Sequence, residues 1–214
     1  MKYWHASLLL GLVVIGLSAC APLPVRPGTR LQRAAQARRV QALDRIQSWS
    51  LSGRIGVANG RQGGSGGFTW NNRPGGFQFV VRAPITGHSY SLDAVPGQMA
   101  CLAGLHPQPV CGPDAEALLN NTLGWRVPIA ELRAWVMGLA AVGSPAKLGF
   151  TPDGELASLY QDGWQVRYSD WDANTRPVSM PHRITARKPP FSVRLYVEQW
   201  HLDHLSHSLP KSGR

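Results

Sequence analysis

Residues 63–67 read Gly-Gly-Ser-Gly-Gly and match G-x-S-x-G, a pattern that presents a serine nucleophile in many hydrolases. That chemistry requires a strand that delivers Ser65 onto a sharp turn and a helix that leaves the turn. Here the glycines lie between two segments with strand periodicity, and no helical pattern follows them. The segment therefore favours a mobile glycine hairpin, and we predict no catalytic residue. It also lacks the Lys-Ser/Thr ending of a phosphate-binding loop.

Three histidines near the C-terminus repeat at a spacing that suits metal ligands. His201, His204 and His207 occur at every third residue, with Asp203 among them. They follow the last expected strand, and residues 210–213 read Pro-Lys-Ser-Gly, which is typical of a loose terminus. We therefore expect residues 201–214 to form a flexible tail, and we expect no metal site.

Cys20 follows a segment with the parts of an export signal. Lys2 supplies positive charge, residues 8–17 are an apolar run broken by two glycines, and two small residues precede the cysteine. The run is too short to cross a bilayer, which takes about 20 residues. Residues 1–19 are therefore predicted to be a signal peptide.

The segment Leu17-Ser18-Ala19-Cys20 resembles the lipobox of bacterial lipoproteins. The resemblance implies that Cys20 becomes the first residue of the mature chain and carries three acyl chains, which would anchor it durably at ~0.8 kcal/mol per buried methylene. Ala21 stands where an aspartate commonly retains lipoproteins in the inner membrane, so it implies the outer membrane. The alternative is an ordinary signal peptide with a chance cysteine.

The other two cysteines, Cys101 and Cys111, flank a Gly-Leu-His-Pro segment at residues 104–107. In an oxidising compartment they are positioned to pair across a hairpin, provided that the strand register brings their Cβ atoms within about 3.5–4.5 Å. We expect a disulfide, with two buried thiols as the alternative.

The chain is basic, with 22 Lys and Arg against 12 Asp and Glu and a net charge of +10. Such a charge would ordinarily suggest nucleic acid as a partner. The export signal excludes that function class. A solvated basic surface is the simplest explanation, and attraction to anionic lipid headgroups is the alternative.

After Cys20, prolines at positions 22, 24 and 27 indicate an extended tether over residues 20–28. Thr29 and Gln32 form a capping-box pattern that predicts a helix to about Ser48. Its arginines, Arg33, Arg38, Arg39 and Arg45, are expected to form a solvated face, with a contact to lipid headgroups as the alternative. We expect one domain over residues 29–200.

From Trp49 onward the apolar period becomes two, which indicates strands. Asp162-Gly163 is a tight-hairpin signal between two of them. Two short helices interrupt the strands: residues 115–123, capped by Asp114 and stopped by Gly124, and residues 129–137, opened by Pro128. The fold is expected to be mainly β, with about ten antiparallel strands that close or half-close into a barrel.

Seven tryptophans follow Cys20. They indicate either a filled aromatic core or a cavity lined by aromatic side chains.

Residues 83–87 read Ala-Pro-Ile-Thr-Gly and predict a turn between strands. Ile85 is expected to project from its tip, where a tethered domain would touch membrane; the alternative is that Ile85 folds back onto the core.

Taken in order, these residues resemble the LolB family of outer-membrane lipoprotein receptors over about residues 41–200. The segments that carry the resemblance are Gly53-Arg54, Trp70, Pro84-Ile85-Thr86-Gly87, Val127-Pro128, Leu132, Trp135, Gly138, Gln161-Asp162-Gly163-Trp164, Tyr168, Pro181 and Trp200. The resemblance implies an incomplete antiparallel barrel with an N-terminal helix and a helical lid over a hydrophobic cavity. The candidate acyl-cavity residues are Leu51, Ile55, Trp70, Phe79, Val81, Leu132, Trp135 and Trp164.

The resemblance also implies a function. Such a receptor accepts acylated lipoproteins from a LolA-type periplasmic carrier and inserts them into the inner leaflet of the outer membrane, as a monomer and without a cofactor. Pro84, Ile85 and Gly87 form the membrane-targeting loop, with Ile85 in place of the family's leucine. The family usually has Pro-Leu-Gly here, so this loop is one residue longer. The alternative function is a lipid-anchored scaffold whose barrel is filled.

Overall fold

The computed structural model describes residues 25–84, 86–95 and 98–204. Its helices are α1 (Arg30–Leu43), α2 (Ala115–Leu123) and α3 (Ile129–Trp135). Its strands are β1 (Arg26–Pro27), β2 (Ile46–Asn59), β3 (Gln62–Arg73), β4 (Gly76–Arg82), β5 (Ser89–Ala94), β6 (Ala100–Ala103), β7 (Val110–Gly112), β8 (Lys147–Phe150), β9 (Leu156–Gln161), β10 (Trp164–Asp172), β11 (Met180–Lys188) and β12 (Phe191–His204). In this part of the chain no helix is both long and apolar enough to span a bilayer.

All the strands belong to one antiparallel sheet in the order β1-β8-β9-β10-β11-β12-β2-β3-β4-β5-β6-β7. Within the described residues no pairing joins β1 to β7, so the barrel is incomplete, as the family resemblance implies. The sheet has twelve strands where about ten were expected. β1 and β7 have only two and three residues, which is too short for an alternation pattern to reveal.

Three sequence-based boundaries are corrected by strand pairing. The first helix ends at Leu43 and not near Ser48, because β2 already begins at Ile46. Because β2 starts early, the last residues of β12 have a strand to pair with. His201 lies opposite Ser50, and β12 continues to His204. The expected tail therefore does not begin at residue 201. Likewise, the last part of the expected tether is a strand, because β1 pairs with β8.

One half of the barrel is solidly packed. The inner face of β9–β12 buries side chains that are at most 1% exposed: Leu159, Val166, Ile184, Ala186 and Val197. Trp135 and Val136, at the end of α3, are also fully buried in the core. Trp164 lies against Trp135 with ring centroids 6.0 Å apart.

Helix α1 lies on the surface and is held mainly by polar contacts. Its capping box is present as predicted, but only Leu43 is buried, and Leu31 is 80% exposed. Gln36 Nε2 donates to the Gly138 carbonyl at 2.9 Å. Arg39 donates to the carbonyls of Met137 and Ser179 and lies 4.7 Å from the ring centroid of Trp171.

Arg39 was predicted to belong to a solvated arginine face, and the structure places it partly in the interior instead. Burial lowers the pKa of Arg39 to about 10, so the guanidinium stays charged at neutral pH. Its carbonyl partners and the ring of Trp171 stabilise that charge. The helix is thereby fixed to the turn that follows α3.

Cys101 and Cys111 lie directly opposite each other on β6 and β7, and the structure joins them with an S–S distance of 2.04 Å. The bond ties the last strand of the sheet to its neighbour. It braces the edge on which α2 rests.

Candidate functional site

An apolar cavity with a volume of about 350 Å³ occupies the other half of the barrel. It lies between the inner face of β2–β6 and the segment that contains α2 and α3. The residues that line it are Ile55, Val57, Gly64, Ser65, Trp70, Phe77, Phe79, Val81, Ala83, Tyr90, Ser91, Leu92, Leu102, Leu105, Leu119, Leu123, Trp125, Val127, Ile129, Leu132 and Val193. This size is in the usual range of small-molecule pockets, about 300–1,000 Å³.

The sheet register forms one wall of the cavity. Trp70 pairs with Phe79, Phe79 with Leu92, and Leu92 with Leu102, so one row of large apolar side chains crosses β3–β6. Because paired residues of antiparallel strands share a face, these side chains all point inward. Trp70 also packs edge-to-face on Phe79 with ring centroids 5.3 Å apart.

The glycine segment of β3 leaves the space open. Val57 pairs with Gly64, and both line the cavity. A Cβ atom placed on Gly64 would meet nothing within 4 Å. The sequence pattern suggested a mobile hairpin over residues 63–67, but these residues pair regularly with β2. Their missing side chains provide room, and the exposed residues Gly64 and Ser65 mark the cavity's open side.

The structure does not place Ser65 at a nucleophile elbow. It lies inside β3 opposite Gly56, and the strand continues to Arg73. The strand-to-helix turn that the motif requires is not formed here.

The second wall is helical, and its ends are set by local signals. Asp114 Oδ1 accepts from the Ala117 amide at 2.7 Å, and Gly124 ends α2 with φ +69°. The wall contributes Leu119 and Leu123 from α2, Trp125 and Val127 from the connection, and Ile129 and Leu132 from α3. These helices lie over the cavity as the lid that the family resemblance implies.

A hydrogen bond joins the two lid helices. Glu116 of α2 accepts from the Ala130 amide at 3.2 Å. Partial burial raises the pKa of Glu116 above its ordinary value, and the amide opposes that rise. The two helices therefore form one connected unit.

A buried glutamine fixes α3 to the sheet. Gln161 is fully buried at the end of β9. Its Oε1 accepts from Trp135 Nε1 at 2.8 Å and from the Ala141 amide at 2.9 Å, while its Nε2 donates to the carbonyls of Ala141 and Ser144 at 2.8 and 2.9 Å. Tyr168 donates to the Trp135 carbonyl at 3.0 Å, and burial raises the pKa of this phenol strongly. These bonds hold the rigid end of the lid.

The cavity is suited to hydrocarbon. None of the described residues that line it is charged, and most of them are aliphatic or aromatic. Ser65 and Ser91 alternate with the inward-facing residues Gly64 and Leu92, so they contribute backbone to the wall. The Nε1 of Trp70 is buried and has no hydrogen-bond partner in the described part of the chain. Burying a charge in such surroundings is costly. An apolar chain that enters the cavity instead removes its surface from water, which is favourable.

The structure divides the eight candidate cavity residues into two groups. Ile55, Trp70, Phe79, Val81 and Leu132 line the cavity. The other three do not, and we correct their placement. Leu51 is 1% exposed and lies opposite Trp70, outside the cavity. Trp135 and Trp164 belong to the filled half, where Gln161 orients Trp135.

The sequence candidates include only five of the 21 residues that line the cavity. Phe77, Leu92 and Leu102 continue the alternation that identified Phe79, so the strand pattern contained their signal. Trp125 and Val127 lie in an irregular connection between helices, where periodicity carries no information.

The loop after β4 is rooted at the cavity rim. Ala83 lines the cavity, and its amide and carbonyl bond to the His88 carbonyl at 2.9 Å and the Gly87 amide at 3.1 Å. Gly87 has φ +69°, a conformation that favours glycine, and Pro84 and Gly87 are both exposed. Ile85, like Cys20 and His207, lies outside the described residues.

Fold and cavity together define a half-filled antiparallel barrel with an apolar cavity beneath a helical lid. The chain belongs to the LolB family: the family model described as "Outer membrane lipoprotein LolB" matches residues 47–200. It is thus an outer-membrane lipoprotein of the kind concerned with lipoprotein localisation.

The relatives match most of the chain. A protein named Outer-membrane lipoprotein LolB from Xanthomonas axonopodis pv. citri is 34% identical over 89% of this chain and 93% of its own length. A protein of the same name from Nitrosococcus oceani is 32% identical over 94% of this chain and its whole length. A LolA superfamily protein from Nitrosomonas europaea has a TM-score of 0.47 at 12% identity, covering 79% of this chain and 94% of its own.

Proposed function

We propose that this protein receives acylated lipoproteins from a LolA-type periplasmic carrier and inserts them into the inner leaflet of the outer membrane. In this proposal Cys20 carries the lipid that holds the receptor at the membrane. The cavity takes acyl chains of the cargo. The protein acts as a monomer, without a cofactor and without a chemical step.

The observation that carries the proposal is the uncharged cavity of about 350 Å³ beneath the α2–α3 lid. Each methylene removed from water is worth ~0.8 kcal/mol. A cavity of this size suits a drug-sized ligand, which is smaller than three whole acyl chains. A bilayer can bury the full length of all three acyl chains of the cargo. Delivery from the cavity into the membrane is therefore favourable without nucleotide hydrolysis. A scaffold with a filled barrel does not account for this space.

Delivery is assigned to the loop over residues 83–87. Its root at the rim of the cavity would bring an inserted tip close to the acyl chains that must leave. Ile85 is the apolar residue proposed to enter the bilayer, and Pro84 and Gly87 shape the turn that presents it.

The test is transfer of a fluorescently labelled lipoprotein from purified carrier to this protein and then to liposomes. Ile85→Glu should accept cargo normally but deliver about a tenth or less of the wild-type amount, because a charge at the tip opposes insertion. Ile85→Leu is the matched control and should deliver normally. Normal delivery by Ile85→Glu would remove the loop from the mechanism, and failure of wild-type protein to take cargo would refute the receptor function.

A further inference from the structure

A cluster of three arginines lies on the outer face of the sheet, away from the cavity. Arg167 of β10, Arg187 of β11 and Arg194 of β12, with Gln165 and Thr185, line a surface pocket with a volume of about 180 Å³. We call these five residues the outer arginine cluster. The proposed receptor function makes no use of it.

The register holds the cluster in place. Arg167 lies opposite Thr185, which lies opposite Arg194, and Arg187 lies opposite Gln165. The residues that alternate with them along the strands, such as Val166, Ile184, Ala186 and Val193, are at most 4% exposed and point inward. Three paired strands, rather than a loop, therefore set the spacing of the guanidinium groups.

The charge of the cluster is uncompensated. All three arginines are exposed, and none takes part in an ion pair within the described residues. Elsewhere on this face arginines are neutralised: Arg54 pairs with Glu198 at 3.2 Å and Arg183 with Asp170. Like charges held close on neighbouring strands repel each other, and a bound anion would relieve that repulsion.

The side chains match the chemistry of a phosphate group. Guanidinium groups bind phosphate oxygens with two parallel hydrogen bonds, and a threonine hydroxyl and a glutamine amide add neutral donors. Tyr160, 51% exposed, lies opposite Gln165, and Tyr196, 42% exposed, is two residues from Arg194. Tyrosines beside arginines are typical of a surface that meets the headgroup region of a bilayer.

The start of the domain brings this face within reach of the membrane. Pro27, Gly149, Ser158 and Arg167 form one row across β1, β8, β9 and β10. At about 4.8 Å per strand, the row spans about 14 Å. The six residue steps from Cys20 to Arg26 extend at most about 20 Å. An acyl anchor on Cys20 and the cluster can therefore meet the same bilayer surface.

We propose that the outer arginine cluster binds the phosphate groups of anionic lipids in the membrane that holds the chain. The row through Arg194 continues to Gly56 and Ser65, so the cluster lies level with the open side of the cavity. Binding would orient the domain as well as hold it. The inference depends on the lipid anchor and not on occupancy of the cavity.

The experiment uses the mature chain with Cys20→Ala, so that the acyl anchor does not mask weaker binding. Association is measured with phosphatidylcholine vesicles that contain or lack phosphatidylglycerol. An arginine near an anionic surface contributes about fivefold in affinity, so Arg167→Gln, Arg187→Gln and Arg194→Gln together should weaken binding to the phosphatidylglycerol vesicles about 100-fold. Arg194→Gln alone should weaken it about fivefold, which keeps the test usable if the triple variant unfolds.

The matched control removes the same charge elsewhere. Arg38, Arg45 and Arg73 are exposed on α1, before β2 and at the far end of β3. Replacing all three by Gln should leave vesicle binding within a few-fold of wild type. Equal losses in the two triple variants would mean that net charge alone attracts the protein, and the proposal would be wrong.

A second arm separates lipid from free phosphate. Inorganic phosphate should displace the wild-type chain from the vesicles more effectively than chloride at equal ionic strength. If the cluster variant bound vesicles like wild type and lost only its affinity for inorganic phosphate, the lipid assignment would be overturned. The cluster variant should still bind an apolar fluorescent probe, which distinguishes this result from failure of the cavity itself.

Discussion

Gly64→Leu tests the cavity directly, because the position is open and lies on its wall. Gly64 pairs with Val57, and a Cβ atom there has no neighbour within 4 Å. The leucine side chain would take space that about three methylenes of a ligand would otherwise fill. At ~0.8 kcal/mol per methylene, binding should weaken by about 2.4 kcal/mol, or about 60-fold.

Gly56→Leu provides a control on the same pair of strands. Gly56 lies between Ile55 and Val57, which both line the cavity, so its own position faces outward. A Cβ atom there also meets nothing within 4 Å. Both substitutions should raise the free energy of unfolding slightly, by ~0.5–1 kcal/mol, because glycine loses more backbone entropy on folding than other residues.

The assay is displacement of an apolar fluorophore by an acylated peptide, with the unacylated peptide as the reference. Chemical denaturation of each variant checks that it is folded. Wild-type affinity in a folded Gly64→Leu protein would refute the placement of the ligand. An equal loss in Gly56→Leu would show that the effect comes from strand geometry rather than from lost volume.

Three further predictions concern stability. Gln161→Ala should lower the free energy of unfolding by about 3–5 kcal/mol, because Trp135 Nε1 and the backbone groups of Ala141 and Ser144 lose their hydrogen bonds to this buried side chain; a loss under about 1 kcal/mol by denaturant titration would contradict the role of this residue. Cys101→Ser with Cys111→Ser should cost about 2–3 kcal/mol through the lost loop constraint, and thiol titration of the unreduced wild-type protein should find neither sulfur free. Because burial raises the pKa of Glu116, its folded form holds the proton more tightly than the unfolded chain, so this group's contribution to stability falls as pH rises through its titration; Glu116→Gln should flatten that part of the stability–pH profile.

Local signals predicted parts of the fold closely. Helix α2 spans the predicted residues 115–123, because Asp114 and Gly124, the residues that flank it in sequence, cap its two ends. The Asp162-Gly163 hairpin has φ +51° and +80° at its two central residues, as the sequence pair indicates. Both features depend only on neighbours in sequence.

Features that depend on distant residues were harder to predict. The end of α1 is set by the start of β2, and the end of β12 is set by its pairing with β2, which local propensity does not reveal. Leu132 and Trp135 lie one turn apart on α3, yet one lines the cavity and the other fills the opposite half. Helical period identifies the apolar side of a helix but not the part of the sheet that this side meets. The glycines of β3 were interpreted as a mobile hairpin because glycine is unfavourable inside a strand. Here they are tolerated in the strand, and their missing side chains leave room for the cavity.

The unjoined edges of the sheet have a mechanical consequence. A closed barrel has its circumference fixed by the number of strands and their stagger. Here the sheet ends at β1 on one side and at the disulfide-linked pair β6 and β7 on the other. Its curvature can therefore change while every ladder hydrogen bond remains intact. In the proposed receptor, the girth of the hollow half would adjust to the thickness of the acyl chains that it takes.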